Sequence, residues 1–186
     1  MNPVTQAWHR TRAAASRWAA RRAARLTPAQ PAAAERWLRV AARLAPDFSA
    51  AHRELVAARR RAADRLGAVA VAQRVVRRFG DSPQAWILLG EACVGAFRPD
   101  DAIQAYEQAL HIEERADAAM AVGDLYALKG DRVTAGARYA RAYAAGAGPD
   151  ALKANAKVLR AAGDVAAAEQ AQALWEKETG KRWTGD

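Results

Sequence analysis

The side chains of this 186-residue chain that could do chemistry are three histidines, one cysteine, three serines and two adjacent acid pairs. A zinc hydrolase needs two histidines one helical turn apart with a glutamate beside the first. His9, His52 and His111 lie far apart, and no His-Glu-x-x-His run occurs. His52 falls on an inward-facing stripe and reads as a core residue, while the charges of Arg10 and Arg12 disfavour metal binding at His9. Cys93 is the sole cysteine, so neither an intrachain disulfide nor a cysteine-based metal site is expected; its position suits a small buried residue. Ser49 and Ser82 stand at helix starts, where a hydroxyl caps backbone N–H groups, and neither they nor Ser16 has a nucleophile's context. Gly146-Ala147-Gly148 lacks both the preceding strand and the Lys-Ser or Lys-Thr pair of a phosphate-cradling loop, and reads as a linker. Asp100-Asp101 and Glu113-Glu114 belong to helix ends, solvated or complementing the dipole. No enzyme activity, cofactor, metal or small-molecule substrate is expected.

The elements that must position these residues recur at a fixed interval. Gly90, Ala102, Tyr106 and Ala109 reappear 33 residues later as Gly123, Ala135, Tyr139 and Ala142, and again as Ala156, Ala168, Gln172 and Trp175. Asp81-Ser82-Pro83 opens a helix whose Trp86, Leu89, Gly90 and Cys93 share one stripe, and a second helix starts at Pro99-Asp100 with Ala102, Ile103, Tyr106, Ala109 and Leu110 inward. Gly130-Asp131 and Gly163-Asp164 mark equivalent turns, and Pro149-Asp150 opens a further pair. Upstream the spacing is 34 residues: His52 and Leu55 match Trp86 and Leu89, and Ala68, Ala72 and Val75 match the second helix. One pair earlier, Ala34, Leu38 and Ala41 fit a second helix, with residues 5–25 as its first and Trp8, Ala15 and Trp18 on one face. No breaker marks the turn between Arg59 and Leu66. A period of this length is the signature of stacked helical hairpins, which present surfaces rather than perform reactions.

Composition agrees. Ala, Leu, Arg, Gln and Glu dominate, and all favour helix. No apolar stretch approaches the ~20 residues of a membrane span. The first 30 residues lack the apolar core of a secretory signal; rich in Arg and free of acids up to Glu35, they resemble a mitochondrial transit peptide, yet the Arg and Ala enrichment continues throughout, as a GC-rich bacterial genome produces, so a cytoplasmic location is expected. Residues 1–78 hold 17 of the 29 Lys and Arg but only four of the 20 acids, whereas 79–186 hold 12 basic and 16 acidic residues. One half is therefore a basic surface.

Together, Trp86-x2-Leu89-Gly90-x2-Cys93, Ala102-x3-Tyr106 and Ala109, with their two downstream echoes, resemble the tetratricopeptide repeat (TPR) family. Glu114 in place of the usual proline, Gln172 in place of an aromatic and the missing glycine in the first two units depart from its pattern. The resemblance implies an all-α fold, an α-solenoid of antiparallel helix pairs wound as a right-handed superhelix. It covers a repeat array over 31–178 (units 31–47, 48–82, 83–115, 116–148 and 149–178), and outside it are expected a basic N-terminal helical segment over 1–30 and a C-terminal tail over 179–186. The first helix of each pair would line a concave groove for a peptide or helical segment of a partner protein in a larger complex. Helical phase places Arg53 and Arg60, then Gln84, Ile87 and Glu91, then Asp117, Met120 and Asp124, then Lys153, Lys157 and Arg160 on that side. The groove would be basic at both ends, acidic and partly apolar between. A clamp for chaperone C-terminal carboxylates is not expected, because Ala57 and Glu91 stand where its asparagine is needed and Asn155 lies near the packing face. The expected role is a non-catalytic scaffold or adaptor; a secretion-type chaperone would use the same groove. An alternative uses Arg10, Arg12, Arg17, Arg21, Arg22 and Arg25, interleaved with Trp8 and Trp18, as a basic patch on nucleic acid or anionic membrane. The favoured reading packs both tryptophans on Trp37 and Leu38 and leaves the arginines in water. Trp183 is expected to fold back on the last hairpin.

Overall fold

Alanine-rich stretches punctuated by Gly, Pro and Asp fold as helices with short turns. The computed structural model describes residues 2–26 and 31–184, and among these the structure is helical with no strand. The helices are α1 (Pro3–Leu26), α2 (Pro31–Leu44), α3 (Ala50–Arg61), α4 (Arg65–Arg78), α5 (Pro83–Gly95), α6 (Pro99–Ile112), α7 (Ala116–Leu128), α8 (Arg132–Ala144), α9 (Pro149–Ala162) and α10 (Val165–Thr179). They form two compact units, Met1–Arg98 and Pro99–Asp186. The expected boundary at 30/31 and the end of the tail at 185–186 lie outside the described residues.

A single turn design links the helices. Ala63, Phe97, Gly130 and Gly163 all take left-handed φ, between +58° and +88°. The N–H of the following residue returns to a carbonyl five positions back in each case: Asp64 to Arg59, Arg98 to Cys93, Asp131 to Tyr126 and Asp164 to Leu159. This is the Schellman arrangement, which satisfies carbonyls a helix end otherwise orphans. Asp64, Asp131 and Asp164 then cap the next helix, their carboxylates accepting the N–H of Gly67, Thr134 and Ala167 at 2.8, 3.1 and 3.1 Å. The turn without a breaker thus sits at Ala62–Asp64, with Ala63 doing what glycine does downstream.

In the first unit α1 and α2 pack along their length. The Ser16 hydroxyl donates to the Ala41 carbonyl at 2.8 Å, and Ala19, Ala41 and Ala51 form a fully apolar contact flanked by Trp37. Alanine at the seam lets helix axes approach closely. The buried face of α1 is Ser16, Ala19 and Ala23, not Trp8, Ala15 and Trp18: Trp8 and Trp18 remain 53% and 54% exposed. Trp18 does meet Trp37 edge-on at 5.1 Å, but Trp8 packs against His9 and Arg12 of its own helix. On α5 the buried set is Pro83, Ala85, Leu88, Gly90, Ala92 and Cys93, while Trp86 and Leu89 are half-buried. Trp86 is drawn back because its indole N–H donates to the Gly80 carbonyl at 2.8 Å.

The second unit closes through Gly123. A Cβ there would stand 2.6 Å from the Tyr139 ring, so glycine on α7 is what admits the tyrosine of α8. The ion pair Arg138–Glu107, at 2.8 Å, ties α8 to α6, and Arg141–Glu114 ties α8 to the turn between α6 and α7. Trp183 folds back as expected: its ring meets Trp175 edge-on at 5.4 Å, and its N–H donates to Glu176 at 2.7 Å.

Candidate functional site

His52 and Cys93 are the two most deeply placed of the potentially chemical groups. His52 is 3% exposed, stacked on Phe48 at 5.8 Å and met edge-on by Phe79 at 5.0 Å. Its Nδ1 accepts the Ser49 N–H at 3.1 Å, so the imidazole plays the part that Glu or Gln plays in a capping box. Burial holds its pKa below 6.5, and the Arg78 charge adds to this. The ring is a neutral structural acceptor, as its stripe position implied. Ser82 stands at the start of α5, but its hydroxyl donates to Gln84 instead of capping the backbone. Among the described residues no group of three or more His, Cys, Asp or Glu could hold a metal ion.

The first-helix faces carry the candidate groove residues. In the first unit Arg53 and Arg60 of α3 and Glu91 of α5 are exposed, with Gln84 and Ile87 half-buried. The Arg53 guanidinium lies 5.7 Å from the Phe48 ring, and Arg60 runs beside Gly95, where its Nε would be 3.4 Å from an added Cβ. Arg53 thus leans on the ring that precedes α3, and Arg60 reaches the end of α5.

In the second unit the acidic positions have partners of their own. Asp117 receives the Arg115 guanidinium on both oxygens, at 3.0 and 2.7 Å, and accepts the Ala118 N–H; the guanidinium keeps its carboxyl below the ordinary range. Asp124 accepts the Tyr139 hydroxyl at 2.8 Å, and burial, helped by that carboxylate, raises the tyrosine's pKa. Asp117 thus fixes the first turn of α7, and Asp124 ties α7 to α8. Met120 is half-buried between them, and on α9 Lys153 is half-buried while Lys157 and Arg160 are exposed, Arg160 donating to Gln172 at 2.9 Å. The 15-residue separation hides the Tyr139–Asp124 bond from helical phase alone; the signal is that Tyr139 is the copy of Tyr106 and Asp124 follows Gly123, the copy of Gly90.

The basic helix divides likewise. Arg10, Arg17, Arg21, Arg22 and Arg25 are exposed on α1. Arg12 is half-buried: it lies over Trp8 at 4.4 Å and donates to the Arg43 carbonyl at 3.0 Å. There it joins Arg78, which reaches the Ala42, Arg43 and Ala45 carbonyls at 3.1, 3.2 and 2.6 Å. Two guanidiniums therefore close the C-terminal end of α2, where the helix dipole favours positive charge. Arg78 was not singled out from the sequence; a last-turn arginine reveals its target only once α2 and α4 are side by side.

The sequence matches no protein-family model and no curated protein. Solved structures do match. A thermophilic TPR protein of Thermus thermophilus is 20% identical with a TM-score of 0.61, covering 90% of this chain and 93% of its own. MamA is 16% identical at a TM-score of 0.72, with the same coverage. YrrB, described as a TPR protein with an unusual peptide-binding site, is 14% identical at 0.63, covering 88% of this chain and 86% of its own. Repeated turns, the glycine–tyrosine seam of α7 and α8, and these likenesses agree: the chain has the tetratricopeptide-repeat fold.

Proposed function

We propose that this chain is a non-catalytic scaffold that holds a peptide or helical segment of a partner protein against the exposed faces of its first helices. The supporting observation is how those faces are built within the TPR fold. In the first unit Ile87 is half-buried on α5 with Glu91 exposed one turn on, and Arg53 and Arg60 are exposed on α3; in the second, Lys157 and Arg160 remain exposed on α9. An apolar centre with a charged border supplies affinity from the first and register from the second. The peptide-binding site named for YrrB is in line with this use of the fold. Catalysis has no support from residue placement, since His52 serves the core and Cys93 is buried.

The test is to recover a partner by affinity purification from the native host and measure its affinity by calorimetry for the wild type, for Ile87→Asp with Glu91→Lys, and for Lys157→Glu. Asp124 is left intact, since its loss would loosen Tyr139. Either variant is expected to weaken binding about tenfold or more, with unchanged helix content. Unchanged affinity in both would place the partner elsewhere on the molecule.

A further inference from the structure

The first unit carries a second concavity, set between two second helices instead of on the first-helix faces just described. A cleft of about 200 Å³ opens between α2 and α4. Leu55, Val71 and Val75, all buried, form its apolar floor with Phe79, and the His52 ring closes the base. Four exposed arginines stand around its mouth: Arg39 and Arg43 one turn apart on α2, Arg74 and Arg78 one turn apart on α4.

These charges are poorly compensated from within. Arg78 is committed to the α2 carbonyls. Arg39 lies 3.5 Å from Glu35, but Arg59 approaches the same carboxylate to 2.7 Å. Arg43 and Arg74 have no carboxylate within ion-pair distance among the described residues. Like charges one turn apart on a helix oppose folding. Two such pairs facing each other over an apolar hole make a field that a carboxylate-bearing chain relieves. Guanidinium forks bind carboxylates on two oxygens at once, which adds direction to the attraction.

The size of the cleft narrows the ligand class. Sites for drug-sized molecules occupy roughly 300–1,000 Å³; this one holds a single bulky side chain. A bilayer surface offers headgroup charge but no protruding side chain for a pocket of this kind. The geometry points to a second binding site at the α2–α4 cleft for an acidic peptide segment of a partner protein. One aromatic or large aliphatic side chain sits over His52, and its flanking carboxylates rest on Arg43 and Arg74.

The probe is a fluorescein-labelled peptide with one tryptophan flanked on both sides by glutamates, titrated into the intact chain and read by anisotropy. Saturable binding is expected. Replacing the peptide's tryptophan by alanine, or making Arg43→Gln with Arg74→Gln in the protein, weakens it about tenfold or more. Glu91→Lys, on the first-helix face, leaves it unchanged, which separates this site from the groove. Val75→Trp, which fills the floor, removes the preference for the tryptophan peptide while circular dichroism stays helical. Equal affinity for the two peptides, or undiminished binding by the double arginine variant, overturns the proposal. So does the finding that phosphatidylserine vesicles bind with the same arginine dependence while the peptide fails to saturate, or that sedimentation shows a second copy of the chain occupying the cleft.

Discussion

Ala63 and Phe97 both hold φ at +58°, a conformation in which Cβ crowds the neighbouring carbonyl. An L-residue held there costs roughly 1–2 kcal/mol. At the two equivalent downstream turns the residue is Gly130 or Gly163, which bears no such cost. Ala63 is exposed, so glycine there sacrifices no packing. Ala63→Gly is expected to stabilise the first unit by about 1 kcal/mol and raise its melting temperature by about 4–8 °C, measured by circular dichroism. A loss of stability would mean that the turn is not strained. Phe97 is less easily exchanged, because the Arg65 guanidinium sits 4.7 Å from its ring and part of the strain is offset by that contact.

The helices of the first unit are joined by polar side chains that reach between elements, and their sensitivity to pH follows. Burial between the Phe48 and Phe79 rings, and after it the Arg78 charge, select the neutral His52 imidazole over the opposing pull of the backbone at Ala42 and Ser49, and its pKa in the fold lies below 6.5. In the unfolded chain it binds a proton near 6.5. The unfolded state therefore holds more protons below that value, and stability falls as the pH drops through it. The contribution is complete above 6.5 and is lost as pH falls toward the lowered folded value. Urea unfolding at about pH 7.5 and about pH 5.5 should show a lower midpoint at the acid pH, and His52→Gln should reduce the difference. Carboxylates held down by arginines, such as Asp64 and Glu114, act only at more acid pH, since their ordinary values are 3.8 and 4.5. An unchanged midpoint in the wild type would remove His52 from this role. Much of the element scale is legible in the sequence, because the interval that carries Gly90 to Gly123 and Gly130 to Gly163 fixes helices and turns together. What escapes is side-chain reach. Arg12 and Arg78 closing α2, and Asp124 receiving Tyr139, depend on which helix ends lie side by side, and periodicity alone is silent on that. The true face of α1 is also hidden, since tryptophan draws attention by size whereas the seam is built from Ser16, Ala19 and Ala23. The α2–α4 cleft is legible only as scattered arginines until the fold gathers them.

At the scale of the whole molecule the two units carry opposite electrostatic designs. Met1–Arg98 holds 18 Lys and Arg against six acids, whereas Pro99–Asp186 holds 11 against 14. Self-repulsion dominates the first unit, where α2 and α4 each present arginines one turn apart. Attraction dominates the second, where Arg138–Glu107, Arg141–Glu114, Arg115–Asp117 and Lys129–Asp100 are paired. These pairs are largely solvent-facing, so each contributes little and less as salt rises. Sodium chloride therefore acts with opposite sign on the two units. Raising it from about 0.05 M to about 0.5 M shortens the screening length from roughly 14 Å to roughly 4 Å, less than the spacing of charges on neighbouring helices. Hydrogen exchange of the intact chain, followed peptide by peptide, should slow in α2–α4 as salt increases and stay constant or quicken in α7–α9. Equal slowing in both units would point to a general salting effect on apolar burial, and slowing confined to the second unit would contradict the charge argument. The same measurement with the acidic tryptophan peptide present at low salt links the two scales. If the arginines around the cleft are the source of the repulsion, a bound carboxylate replaces the salt, and α2 and α4 become protected without it.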